Sequence, residues 1–328
     1  MAEWLYEDGI GERRAALIDD GAIVAIGIER DSDGVRAGTI AAARLSGSDG
    51  SALRVVRFDS GEEAIVSQLP HGLSDGAKML VEVTRSAIPE IDLVKRAKAR
   101  PAADDAVAKD GADLLARISA TGNVVRTLQP HEPDTLEAAG WSEALAEAAG
   151  GRIAFDGGLL RMSLTPAMTV FDIDGALPAA ALAEAGARAV AAAILRLDIA
   201  GSIVVDFPTL ADKAARVAVA EEFDAAMHGA FDRTAINGYG LLQIIRPRVR
   251  ASVAERMQFA PIESAALALL RRAERAQGHG SITVTAHPAL CAWLDARPAL
   301  LAALARRTGR PATLQVDPAR AIWSGDVH

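Results

Sequence analysis

Cysteine is nearly absent from this sequence. The single thiol, Cys291, cannot close an internal disulfide or build a cysteine-based zinc cluster within one chain. A reducing, cytoplasmic setting fits that usage. Aromatic residues make up only 4% of the chain, so the core is expected to rest on Ala, Val and Leu. No apolar run approaches the roughly 18 residues that span a bilayer, so no membrane partner is expected. The N-terminal MAEWLYEDG is acidic and lacks a basic leader, which argues against a secretion signal. The six histidines, His71, His131, His228, His279, His287 and His328, never fall at H-x-x-x-H spacing. That pattern argues against a zinc protease. Neither a G-x-S-x-G elbow nor a phosphate-binding P-loop is present. Excess positive charge is missing as well: 35 basic against 43 acidic side chains give a net charge of −8.

That average hides a pattern. Residues 1–35 carry 3 basic and 9 acidic side chains, and residues 101–150 carry the same numbers. Residues 36–100 carry 10 and 8, and residues 256–328 carry 9 and 5. Such asymmetry permits a local polyanion site without requiring one.

A chain of 328 residues has room for two or three compact units. Residues 12–30 read as a hairpin about Asp19-Asp20-Gly21. Four or five short strand candidates follow between Arg36 and about Thr84, separated by SGSDGS, DSG and PHGLSDG. Their spacing suggests a small β-barrel of the oligonucleotide-binding size. LVKRAKARP, residues 93–101, reads first as a solvated helix face; its cations could also meet phosphates at a barrel exit. Residues 101–148 start with an acidic linker and hold a helix around Val107–Ser119, a short strand in GNVVRTLQP and an Ala/Glu helix. From Gly151 the pattern becomes α/β, and residues 261–328 form a last small α/β unit. There, Pro288–Arg306 reads as one helix containing Cys291 as a core residue.

One constellation has chemical potential. Asp172 and Asp174 sit two apart on a predicted strand and so share a face. Asp206 ends the next clear strand, GSIVVD, beyond a long helix over Ala179–Leu197. A strand–helix–strand crossover makes the two strands parallel and aligns their C-terminal ends. Three carboxylates are then expected to converge where open α/β sheets bind ligands. Like charges this close repel unless a cation intervenes. Mg²⁺ is the natural counterion, with a capacity to activate water and neutralise a phosphodiester. Arg246, Arg248 and Arg250 read as one face of a strand able to hold phosphates. Plainer roles compete. A strand-end Asp commonly caps the next helix, and Asp174 is open to that role. Asp206 is less so, because Thr209 and Asp212 already form a capping box. The arginines are equally open to being a solvated edge.

The order of four segments resembles the catalytic region of the ribonuclease E/G family in shortened form. GRIAFDGGLLRMSLTPAMTVFDIDG resembles its strand pair with a T-E-A-(L/M)-T-x-I-D-x-N core, and IAGSIVVDFPTLADKAARVAVAEEF its G-G-x-I-V-I-D-F segment. INGYGLLQIIRPRVRASVAE is similar to its R-F-G-L-x-E-x-(S/T)-R-x-R stretch, and PIESAALALLRRAER to the opening of its small C-terminal domain. The N-terminal hairpin and β-module resemble its S1 region more loosely.

The resemblance implies a multidomain α+β and α/β protein. Residues 1–35 would be a hairpin on the catalytic body and residues 36–100 an S1-like oligonucleotide-binding barrel. Residues 101–148 would be a reduced remnant of the ribonuclease H-like and 5′-sensor region. Residues 149–258 would form a deoxyribonuclease I-like catalytic subdomain, and residues 259–328 the small C-terminal domain. The implied activity is Mg²⁺-dependent endonucleolytic cleavage of single-stranded RNA, leaving 5′-phosphate and 3′-hydroxyl ends. Asp172 and Asp206 fall on the family's metal-binding aspartates, with Asp174 as an adjacent ligand. Arg246 and Arg248 match its R-x-R pair, and Phe58 is the main base-stacking candidate on the barrel, with a core role as its rival.

Several departures stand out. Asp174 occupies the family's Asn position, Gly238 replaces an Arg, and Tyr239 replaces a Phe. The C-P-x-C zinc link is absent, so neither a structural zinc nor a zinc-joined dimer is expected; a homo-oligomer of another kind stays open. The rival readings are a non-catalytic RNA-binding homologue and a phosphodiesterase acting on a small nucleotide.

Overall fold

The computed structural model describes residues 2–46, 54–69, 72–91, 93–210 and 212–328. His71 and most of the SGSDGS turn signal lie outside the described residues. The expected hairpin forms from β2 (Glu12–Asp19) and β3 (Ala22–Arg30). Asp20 and Gly21 turn the chain with φ of 47° and 77°, the left-handed pair that matches strand twist. An unforeseen strand, β1 (Glu3–Asp8), pairs antiparallel with β2.

The barrel follows. Its strands are β4 (Ile40–Ser46), β5 (Arg54–Phe58), β6 (Glu63–Val66) and β7 (Lys78–Arg85). A small hairpin, β8 (Ile88–Glu90) and β9 (Leu93–Lys95), precedes the last barrel strand, β10 (Ala97–Pro101). The barrel closes in the order β10-β6-β5-β4-β7, an oligonucleotide-binding-like arrangement. LVKRAKARP is therefore strand rather than helix. Ala97 and Ala99 point into the barrel with Leu45, Val56, Val81 and Val83, while the intervening cations face water.

Residues 101–148 do not form a separate layer. The expected helix begins only at α1 (Leu114–Ser119), where the Asp113 carboxylate accepts from the Ala116 N–H at 2.8 Å. Strand β11 (Val124–Thr127) joins the first sheet parallel to β1. Helix α1 packs on one face of that sheet through Leu114 and Ile118, against Trp4, Tyr6 and Ala15. Helices α2 (Thr135–Ala138) and α3 (Trp141–Gly150) lead into the main body.

That body is a six-stranded sheet. Its elements are β12 (Arg152–Phe155), β13 (Gly158–Leu164), β14 (Thr169–Gly175), α4 (Ala179–Arg196) and β15 (Gly201–Asp206). Then come α5 (Lys213–Ala226), β16 (Asp232–Arg233) and β17 (Leu241–Arg246). The order is β12-β13-β14-β15-β17-β16, and only β14 and β15 run parallel. Asp212 itself caps α5, accepting from the Ala215 N–H at 2.7 Å, so the expected Thr209 box does not form.

One sheet face, with Leu160, Phe171, Ile173, Ile203, Val205, Leu242 and Ile244, enters the main core. Buried residues of α4 fill that core, as do Leu5, Ala16 and Ile26 of the first sheet. The strands alternate, so the opposite face carries polar residues to water, as mostly antiparallel sheets allow.

Helix α6 (Val253–Phe259) still enters the main core through Val253, Ala254 and Met257, and the C-terminal unit follows with α7 (Pro261–Arg275), β18 (Ile282–Ala286), α8 (Pro288–Asp295) and α9 (Pro298–Thr308). Strands β19 (Ala312–Val316) and β20 (Asp326–Val327) complete it. The single helix expected over 288–306 is broken: α8 and α9 meet at 86°, with Pro298 opening the second. Cys291 is buried in this unit's core, and burial pushes its thiol up.

Candidate functional site

Strand pairing places four charged residues and a leucine in a straight row across the open sheet face. The register runs Arg152, Arg161, Asp172, Asp206, Leu241 over five adjacent strands. Asp172 and Asp206 are direct partners on the parallel pair, so their backbones lie about 4.8 Å apart. Both side chains are exposed, and neither has a hydrogen bond or ion pair with a described residue. The βαβ crossover through α4 makes the two strands parallel, as the spacing predicts, and sets Asp206 at the end of β15 beside Asp172 in the middle of β14.

A tight turn supports Asp206. The Phe207 N–H donates to the Gly240 carbonyl at 3.1 Å, which ties the end of β15 to the start of β17. Gly240 has φ of 90°, and a Cβ there would stand 2.4 Å from the Phe207 carbonyl oxygen. The Asn237 side-chain oxygen accepts from the N–H groups of Tyr239 at 2.9 Å and Leu241 at 3.0 Å. The turn leaves Tyr239, the residue before Gly240, 84% exposed.

The third carboxylate does not join the pair. Asp174 shares the face, but its Oδ2 accepts a hydrogen bond from Arg161 Nε of the neighbouring strand. That bond, the Asp174 charge and the more distant Asp172 charge push the Arg161 guanidinium up. Among the described residues no group of three or more His, Cys, Asp or Glu side chains is arranged to hold a metal. The expectation of three converging carboxylates is corrected to two. Arg161, which carries Asp174, gave no signal before the register was known.

The arginines named from the sequence also need correction. Strand β17 ends at Arg246, so Arg248 and Arg250 lie beyond it in the segment that starts with Pro247. Arg246 has the parity of Leu242 and Ile244, the covered face, and donates to the Ile199 carbonyl at 2.5 Å. Burial holds its guanidinium below its usual range. It pairs with Gly201, five residues from Asp206, so roughly 16 Å separates the two along the sheet. Arg248 bonds Glu255, and Arg250 bonds Asp198 at 2.7 Å. None of the three faces the carboxylate pair.

Phe58 is corrected as well. It points into the barrel, 5% exposed, and packs in the core with Ala43, Val56 and Val81, so its ring has no free face for a base. The barrel offers something else outside. Lys78, Arg44 and Arg57 are register partners across β7, β4 and β5. All three are exposed; Arg57 bonds Glu63, while Lys78 and Arg44 have no ion pair with a described residue.

No single helix among the described residues is long and apolar enough to cross a membrane. No protein-family profile matches the chain, and no curated protein matches it.

Proposed function

We propose that the chain is a shortened, Mg²⁺-dependent endoribonuclease of the ribonuclease E/G type, acting on single-stranded RNA in the cytoplasm. In this reading the six-stranded sheet with α4 and α5 is the deoxyribonuclease I-like catalytic subdomain. The five-stranded barrel is the S1-like RNA grip. The observation that carries the reading is the in-register pair Asp172 and Asp206, exposed, with no ion pair to a described residue, where the parallel pairing of β14 with β15 ends.

Asp172 and Asp206 would hold the Mg²⁺, a donor set that fits an ion commonly bound by one or two carboxylates plus waters. The chemistry supplied by such an ion when bound is polarisation of a phosphodiester and activation of water. The chain's own residues do the rest. The Gly240 turn fixes the end of β15 and so the position of Asp206. Arg161 keeps Asp174 neutralised, which limits the charge beside the pair. Tyr239 offers an exposed ring for stacking on a base, and the Lys78, Arg44 and Arg57 row offers charge to the RNA backbone.

The test is cleavage of a fluorescent single-stranded RNA by purified protein, with Mg²⁺ or with chelator. Metal-dependent cutting that falls at least a hundredfold in Asp172→Asn and in Asp206→Asn is the expected result. Binding without cutting by the intact protein would replace this reading with a second one, a non-catalytic RNA-binding homologue. The observation favouring that alternative is the commitment of Asp174 to Arg161, which leaves two free carboxylates at the rim.

A further inference from the structure

We propose that Arg152 and Arg161 are phosphate-holding residues of the open sheet face, and that they lead a single RNA strand from the sheet edge onto the carboxylate pair. The inference deepens the nuclease reading and rests on it for the nature of the strand.

Three observations converge. Arg152 lies on β12, the edge strand, and is the direct antiparallel partner of Arg161 on β13. Like charges set opposite one another weaken a strand pair; Asp174 offsets the Arg161 charge, while Arg152 at the edge has no such partner among the described residues. Second, both side chains are exposed, and both retain donors. Arg152 has no side-chain partner among the described residues, and Arg161 commits only Nε, to Asp174. The Arg161 terminal nitrogens are left for a phosphate, which a guanidinium recognises with paired donors. Third, the row continues without a break to Asp172 and Asp206. Arg152 is two strands from Asp172, about 10 Å by strand spacing. Cations on one side of the pair and Leu241 on the other give the face a direction. This task is the one the sequence pattern suggested for Arg246 and Arg248, which are turned elsewhere.

The experiment is equilibrium binding of a fluorescent single-stranded RNA in chelator, by anisotropy over a salt series, so that turnover is not needed. Arg152→Ala is expected to bind several-fold more weakly. Its slope of log affinity against log salt should be shallower by about 0.7, the loss of one phosphate contact on a single strand. Arg152→Lys should keep the slope. For Arg161 the informative variant is Arg161→Ala with Asp174→Asn, which removes one charge of each sign and leaves the net charge of the face unchanged. It should lose a similar slope. Circular dichroism confirms that each variant is folded.

Unchanged affinity and slope in folded Arg152→Ala and in the double variant would overturn the inference, and the nuclease reading would survive if the wild type still cuts RNA with Mg²⁺. Loss of binding in these variants, without any cleavage by the wild type, would keep the row and remove the nuclease. A wild type that binds no RNA would remove both.

Discussion

Two groups of Arg and acidic side chains in this molecule use the same chemistry in opposite ways. The first is buried between the N-terminal sheet and the C-terminal unit. Arg14 is 1% exposed and donates to Glu12 at 2.8 Å, Glu7 at 3.0 Å and the Leu267 carbonyl at 3.2 Å. Arg271 of α7 also binds Glu7, and it reaches Asp134 at 2.6 Å. Arg30 joins Glu12 at 2.7 Å to Glu263 at 3.1 Å. The chain is shaped around the group: a Cβ on Gly9 would stand 2.3 Å from an Arg14 terminal nitrogen. The second group is the row on the open sheet, where Asp172, Asp206 and Arg152 keep free valences facing water. A saturated, dry network locks segments together. An unsaturated, wet one is available to a ligand.

The largest effect should come from breaking the dry network. Arg14→Ala takes one guanidinium from each of two buried carboxylates, Glu7 and Glu12, which keep Arg271 and Arg30 respectively. Removing one partner of a buried pair typically costs about 3–5 kcal/mol. Urea denaturation should show a loss of that size, and a loss under about 1 kcal/mol would mean that the network relaxes without Arg14.

Acid should separate the groups next. Burial pushes the Glu12 carboxyl up, but Arg14, Arg30 and Arg256 outweigh it and hold the group below its ordinary value. Asp134 is held low in the same way: burial opposes, while Arg271, the Glu137 N–H and Arg275 prevail. A carboxyl depressed in the folded state adds stability above its unfolded value and loses it as pH falls through the folded one. Thermal stability should therefore drop as pH falls below the ordinary values of 4.5 for Glu and 3.8 for Asp. In Glu12→Gln the midpoint should start lower and decline less steeply over the same range. An unchanged slope would show that Glu12 does not carry the acid response.

What the sequence disclosed follows the same division. The hairpin was legible because Asp20-Gly21 is a local signal. The Asp172 and Asp206 juxtaposition was legible because a crossover helix of the right length fixes strand direction. Strand β10 was not, because its inward residues are only Ala97 and Ala99, too weak to reveal a period of two among four cations. Phe58 follows Val55 and Val56, both also buried, so alternation along β5 could not assign its side. Arg248 and Arg250 follow Pro247, which cannot donate to a ladder, and the strand stops before them. Partnerships between strands, Arg161 with Asp174 or Arg152 with Arg161, depend on register. Register is set by the turn at Gly157 and Gly158 together with packing of the covered face, and no short motif encodes it.

The smallest expected effect is the most discriminating. Asp172→Asn and Asp206→Asn remove exposed carboxylates with no hydrogen bond or ion pair to a described residue. Surface changes of this kind usually move stability by less than about 0.5 kcal/mol. Here the sign should lean positive in metal-free buffer. Two carboxylates about 5 Å apart repel by somewhat under 1 kcal/mol in water, and each substitution removes that term, which in Asp172→Asn is set against the lost attraction to Arg161. Urea denaturation in chelator should therefore find both variants as stable as the wild type or slightly more so. Added Mg²⁺ should stabilise the wild type and leave the variants unmoved. A loss above about 1 kcal/mol in either variant would assign that aspartate to architecture, and the distinction between the dry network and the wet row would no longer hold at the position on which the nuclease reading depends.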